Sequence, residues 1–248
     1  MKVRDLVENY ISYGWYPIPL KSRSKECRDS DWMQRVYDED DFSANDNVGL
    51  RLVRDDDPNR KIKLIDIDCD SDEVVSTADK FLPSCNVIYG RSKKPNSHYL
   101  YQSLFKKTVA YQDLTPDAEQ KTLIEIRVDH QSMAPPSVHP SGDILVWTRI
   151  GAAQEIDPTI LQRRVRLCAT CAMVARYYNP KGLRHNWGLA LAGYFKGLGI
   201  NEEDCILVMI EAAKIAGDTE LSDRLSAVRS TYAKDEALQG AKALQDYM

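Results

Sequence analysis

Apolar residues recur at two different periods along this chain, and the change of period divides it. Val3, Leu6, Val7, Tyr10 and Ile11 stand three or four apart, the spacing of one helix face, and Gly14 is placed where a glycine cap would stop that helix. WYPIPL (15–20) then predicts a short extended segment, and the polar, aperiodic residues 21–46 predict loops with at most short turns. Beyond them the chain reads as strands at NVGLRLV (47–53), KLIDIDCD (63–70), NVIYG (86–90), SHYLYQ (97–102), TLIEIRV (122–128) and DILVWTR (143–149). DDDPN (55–59) is a turn by composition, and 106–120 is a polar stretch. After Asp157-Pro158 helical spacing returns over 159–178 and over 185–198, ending near Gly199, and then behind an Asn201 N-cap with Glu203 and Asp204 in the first turn. The expectation is an α+β chain of two domains: a strand-rich one over 1–157 and a small helical bundle over 158–248.

Composition narrows this picture. A chain of 248 residues accommodates one or two domains of about 100–200 residues each. With 43% hydrophobic and 28% charged residues it is globular, which excludes disordered and fibrous classes. A net charge of −4 excludes a wholesale basic coat, so contact with nucleic acid has to come from local clusters of Lys and Arg. The N-terminal MKVRDLVENYISYG mixes polar and apolar residues, and no apolar run approaches the roughly 18 residues of a membrane span. A soluble, cytoplasmic protein without membrane partners is expected. The cysteines at 27, 69, 85, 168, 171 and 205 suit neither a secreted disulfide framework nor a paired zinc ribbon. Cys168 and Cys171 would share a helix face, where buried packing is favoured over metal ligation.

Three segments carry candidate chemistry. In LIDIDCD the strand period turns Asp66, Asp68 and Asp70 to one face, with Cα atoms of adjacent members about 6.6 Å apart. Such carboxylates repel unless a cation sits among them, and hard cations such as Mg²⁺ or Mn²⁺ take oxygen ligands; solvated edge acids are the other reading. GRSKKPNSHYLYQ sets Arg91, Lys93 and Lys94 in a turn suited to phosphate and puts His98 at a strand start. A solvated basic hairpin with a structural histidine is the plainer alternative. In LIEIRVDHQSMAPPSVHPSG, Glu125 and Arg127 share a face with Asp129 next along it, Pro135-Pro136 fixes a rigid turn, and His139 follows in a loop. Glu125 and Arg127 also read as a surface ion pair.

The succession of these segments resembles the bifunctional primase-polymerase domain of the archaeo-eukaryotic primase superfamily. That family runs acid-x-acid, a small-residue turn ending in histidine, then a third acid on a strand; here these positions read Asp66-Ile67-Asp68, Ser97-His98 and Glu125. YGWYPIPL, the pair Asp31-Trp32, NVGLRLV and MAPPSVHPSG, which looks like the family's PPS-x-H signature, extend the likeness over residues 5–150. KKPNSH departs from the glycine-rich form of the second motif. The resemblance implies an RRM-like sheet carrying the acids and a DNA primase-polymerase activity in replication of a mobile element. It implies Asp66, Asp68 and Glu125 as catalytic residues on a two-metal Mg²⁺ or Mn²⁺ site, with His98 beside them. Arg91, Ser97, His98, Arg127 and His139 would contact the nucleoside triphosphate. No cysteine-rich cluster lies between Gly90 and Glu125, so no zinc is expected.

The helical end, through GLRHNWGLALAGYFKGLGINEEDC and STYAK, is similar to the helical domain that follows the catalytic domain in plasmid and phage replication proteins. Arg184, His185 and Asn186 are its candidates for holding single-stranded DNA template or the initiating nucleotide. ALQGAKALQDYM is similar to the linker that precedes a helicase domain, which makes a helicase a possible partner. No GxxxxGK[ST] phosphate loop occurs, so ATP hydrolysis by that route is not expected. The rival readings are a metal-dependent nuclease using the same acids and a non-catalytic origin-binding module.

Overall fold

The computed structural model describes residues 3–52, 63–115 and 121–234, so the expected turn at 55–59 and the expected linker at 237–248 lie outside the described residues. Helix α1 (Val3–Ser12) buries Leu6, Val7 and Tyr10, while Ile11 is exposed. Gly14 closes it at φ 73°, a left-handed conformation that glycine adopts at no steric cost. Strand β1 (Tyr16–Leu20) follows, and residues 21–46 are loop around one 3-10 turn (Glu39–Asp41) capped by Asp38. The buried Arg51 guanidinium donates to the carbonyls of Trp32 (3.0 Å), Arg35 (3.2 Å) and Met33, and so fixes the loop around Asp31-Trp32.

The chain continues through β2 (Asn47–Arg51), β3 (Lys63–Cys69), α2 (Asp72–Phe81), β4 (Ile88–Arg91), β5 (Lys94–Ser103), β6 (Val109–Gln112), β7 (Thr122–Arg127), β8 (Gln131–Ala134) and β9 (Leu145–Arg149). The architecture is α+β, with two antiparallel sheets ordered β1-β2-β8 and β6-β7-β3-β5-β4-β9. Three of these elements were not anticipated. DEVVSTADKF forms α2 because Ser71 caps it, accepting from the Val74 N–H at 3.3 Å, and Val74, Thr77, Ala78 and Phe81 make one buried face. VAYQ in the polar stretch is the half-exposed edge strand β6, and QSMA pairs with β2 as β8.

The main core lies between the sheets. It gathers Leu6, Tyr10 and Trp15 from the N-terminal segment, Ile18, Val48 and Leu50 from the small sheet, and Leu64, Tyr89, Leu100 and Leu145 from the large one. On β3 the alternation is strict: Leu64 belongs to this core, whereas the fully buried Ile65, Ile67 and Cys69 point to the opposite face, where α2 packs on β3 and β5. Gly90 is required where β4 and β5 approach, since a Cβ there would stand 2.4 Å from the Lys94 carbonyl oxygen. Gly90→Ala is expected to destabilise the protein by about 1–3 kcal/mol, the cost of overpacking, measured as a lower urea midpoint with unchanged slope.

The described residues divide into two compact units, one up to Val165 and one from Arg166 onward. Helix α3 (Pro158–Arg176) starts where helical spacing returns in the sequence, with Asp157 accepting from the N–H groups of Thr159 (2.8 Å) and Ile160 (3.1 Å); the units part within this helix. The second unit continues through α4 (Arg184–Gly197), α5 (Glu202–Ile215) and α6 (Leu221–Tyr232), and the Asn201 side chain caps α5 by accepting from the Asp204 N–H at 2.8 Å. Cys168 and Cys171 are both fully buried on α3. Between α5 and α6, the carboxylate of Asp218 accepts from Arg224 Nε (2.8 Å) and Tyr178 Oη (2.8 Å) and pairs with Arg184 Nη1 (3.2 Å). No helix among the described residues is long and apolar enough to cross a membrane.

Candidate functional site

Strand β3 lies inside the large sheet between β5 and β7, and its register decides which side chains meet. Asp68 stands opposite His98 on β5 and Glu125 on β7, Asp66 stands opposite Leu100 and Arg127, and His98 stands opposite Tyr89 on β4. Directly opposed residues share a face. Glu125, Asp68, His98 and Tyr89 therefore form one row across four strands, and Arg127 and Asp66 form part of the next row.

The histidine is held on its edge and on its face. His98 Nδ1 lies 3.0 Å and 3.2 Å from the two oxygens of Asp66 and 3.6 Å from Asp68 Oδ1, and the ring stacks on Tyr89 with centroids 4.5 Å apart at 7°. With Nδ1 turned to carboxylates, Nε2 is the nitrogen left to meet a ligand. Burial pulls the His98 pKa down, but the charges of Asp66 and Asp68 outweigh it and raise it to about 8. Burial acts on Asp66 in the opposite sense and is also outweighed: His98, Arg127 and the Ser132 hydroxyl hold its carboxyl below the ordinary carboxylate value.

The other acids are crowded. Single oxygens of Asp68, Asp70 and Glu125 lie within 4.8 Å of one another, and burial together with the neighbouring Asp68 charge raises Asp70 to about 6 and moves Glu125 in the same direction. Three carboxylates at this distance favour a cation. Arg127 supplies part of that charge, with Nη1 3.4 Å from Asp68 and Nε 3.8 Å from Glu125. Lys94 Nζ donates to the Asp70 carbonyl oxygen.

Opposite the acids, the loop after β8 is stitched to β2. Ser137 Oγ accepts from the Val48 N–H (2.8 Å), Asn47 Nδ2 donates to the Val138 carbonyl (2.8 Å), and the Val138 N–H donates to Asn47 Oδ1 (2.9 Å). Tyr10 Oη donates to the Pro135 carbonyl at 2.6 Å. His139 therefore sits on a fixed frame. Its Nδ1 accepts from the Ser141 N–H at 3.1 Å, which leaves Nε2 as the protonated donor of the neutral ring. Burial and the nearby Lys25 and Arg91 charges lower its pKa, which favours the neutral ring. A pocket of about 310 Å³ opens between these groups, bordered by Asp68, Asp70, His98, Arg91, Arg127 and His139, and also by Lys25, Lys94, Ser97 and Gln131.

No protein-family model and no curated protein matches this chain.

Of the sequence-predicted residues, Asp68, Arg91, Ser97, His98, Arg127 and His139 border this one pocket, while Asp66 and Glu125 do not. The expected acid trio is divided, because donor atoms gather instead as Asp66, Asp68 and His98 and as Asp68, Asp70 and Glu125. The two sets share Asp68. The expected third member of the β7 face, Asp129, lies beyond the strand end, where it accepts from Thr108 Oγ1 at 3.0 Å. Lys25 and Gln131 were missed; they come from a loop and from β8, and Gln131 Nε2 donates to the Lys25 carbonyl at 3.0 Å. No local period marks either of them. In the second unit Arg184 is engaged with Asp218 and with the Asn179 carbonyl (3.0 Å), His185 lies 2.9 Å from Asp223, and Asn186 is exposed.

Proposed function

We propose that this chain is a metal-dependent nucleotidyltransferase of the primase-polymerase kind, with an RRM-like catalytic sheet, acting on nucleoside triphosphates over a single-stranded DNA template. The observation that supports the reading is the meeting, at one pocket, of the Asp68 and Asp70 carboxylates, with Glu125 behind them, and the side chains of Arg91, Lys94 and Arg127, which suit phosphate. Asp68, Asp70 and Glu125 offer only oxygen donors, which fits a hard cation such as Mg²⁺ or Mn²⁺. When bound, such a cation supplies the positive charge that stabilises the attacking 3′-oxygen and the departing phosphate oxygens. Arg91 and Arg127 present guanidinium groups, His139 presents an Nε2–H donor, and His98 presents one as the imidazolium, all suited to the anionic oxygens of a triphosphate. Donors fixed in this way need no reorganisation as charge moves from the α-phosphate to the leaving group.

His139→Ala is expected to raise the apparent KM for nucleotide about ten- to hundredfold, the loss of one hydrogen bond to a charged group, and to change template affinity less. Separate titrations of nucleotide and of single-stranded DNA check it. Unchanged nucleotide affinity removes His139 from the site. Mn²⁺-dependent cleavage of DNA without triphosphate binding turns the reading to a nuclease.

A further inference from the structure

Asp66 and Asp68 differ in what surrounds them, although only Ile67 separates them. The Asp66 side chain is 0% exposed against 18% for Asp68, and it does not border the pocket. Both its oxygens already serve neighbours within the fold: Oδ2 accepts from Ser132 Oγ at 2.5 Å and lies 3.0 Å from His98 Nδ1, and Oδ1 lies 3.2 Å from the same nitrogen. A nitrogen this close to both oxygens of a carboxylate directs its N–H at them and has no lone pair left for a cation. The donor set made of Asp66, Asp68 and His98 is thus an internal hydrogen-bonded unit, in contrast to Asp68, Asp70 and Glu125.

We propose that Asp66 is a positioning residue that holds His98, pinned in turn by Ser132 and backed by the stacked Tyr89, and that it is not a metal ligand. This rests on the reading of the pocket as a metal and triphosphate site. The chain joins two sheets to build the unit, since Asp66 is on β3 of the large sheet and Ser132 on β8 of the small one. The carboxylate fixes the edge of the imidazole and Tyr89 fixes its face, so that Nε2 keeps one direction toward the phosphates. Orienting carboxylates behind a histidine are a general way to set its tautomer and angle.

The experiment compares Mn²⁺ binding without nucleotide, followed by electron paramagnetic resonance, with binding of a nucleoside triphosphate at saturating Mg²⁺. Wild type, Asp66→Ala, Ser132→Ala, Asp68→Ala, His98→Ala and the Asp66→Ala/His98→Ala double variant are the proteins to use. Asp66→Ala is expected to leave the Mn²⁺ Kd within about twofold and to raise the triphosphate Kd about tenfold. The double variant is expected to bind triphosphate no more weakly than His98→Ala alone, the sign of two residues acting as one unit. Asp68→Ala is expected to lose Mn²⁺ binding. Equal loss of Mn²⁺ from Asp66→Ala and Asp68→Ala, or an unchanged triphosphate Kd in Asp66→Ala, overturns the proposal while the metal site stands. Mn²⁺ binding by Asp68→Ala as tight as wild type overturns the metal reading itself. If circular dichroism shows Asp66→Ala unfolded, Ser132→Ala decides. A weakened triphosphate with intact Mn²⁺ binding supports positioning, and weakened Mn²⁺ or no change in either overturns it.

Discussion

Nucleotide incorporation by the Asp68→Ala protein is expected to fall by about three orders of magnitude, which corresponds to about 4 kcal/mol of lost transition-state stabilisation. Asp68 faces both His98 and Glu125 across the sheet and is the acid that shares an all-oxygen donor set with Asp70 and Glu125 while bordering the pocket beside His98. The fold should survive, because the substitution removes a charge that repels Asp70 and Glu125. Primer extension on single-stranded DNA, run with each nucleotide pool and paired with circular dichroism, checks the result. Full activity in a folded Asp66→Ala/Asp68→Ala double variant would sink the catalytic reading.

The second large effect is on stability and lies in the helical unit. Asp218→Ala is expected to cost about 3 kcal/mol, the low end for breaking a buried ion pair. It leaves the Arg224 side chain, 1% exposed, without its buried partner; Glu220 at 3.0 Å and Asp223 remain near the outer edge of the guanidinium. The same pair gives a pH dependence. Burial opposes ionisation of Asp218, but the Glu220 N–H, Arg224 and Tyr178 prevail and hold its pKa down at about 2. An unfolded aspartate titrates near about 3.9, so the folded state binds the proton less tightly. The stabilisation is therefore complete above about pH 4 and is lost as the pH falls toward 2. Urea titrations between pH 5 and 2 should show that loss in wild type and a much flatter profile in Asp218→Ala. Equal slopes for the two proteins would contradict the assignment.

What could be seen in the sequence was whatever repeats at short range. KLIDIDCD and TLIEIRV alternate, and both form strands; Gly14 and Asn201 end or begin helices where their chemistry suits the termini. Helix α2 was legible in principle, since Ser71 and the apolar positions from Val74 to Phe81 carry cap and period, but it is short and follows directly on a strand. Strand β6 has no such signal, being four residues at an edge with alternate half-exposed positions. Periodicity placed Asp66 and Asp68 on one face and could not rank their burial. That ranking depends on Ser132, which stands 66 residues away in sequence on the other sheet. Lys25 and Gln131 reach the pocket for the same kind of reason, through the path of a loop and the pairing of β8 with β2.

The interior place of β3 also limits how this protein can change over time. Its acids and its isoleucines occupy alternate sites on one ladder that is paired on both sides. Inserting or deleting a single residue would send Ile65 and Ile67 into the pocket and the carboxylates under α2. The spacing of the acids is therefore quantised in steps of two. Lineages can replace Asp66, Asp68 or Asp70 in situ, or shift the motif by a full pleat, whereas odd changes of length have to be absorbed in the loops on either side of the strand.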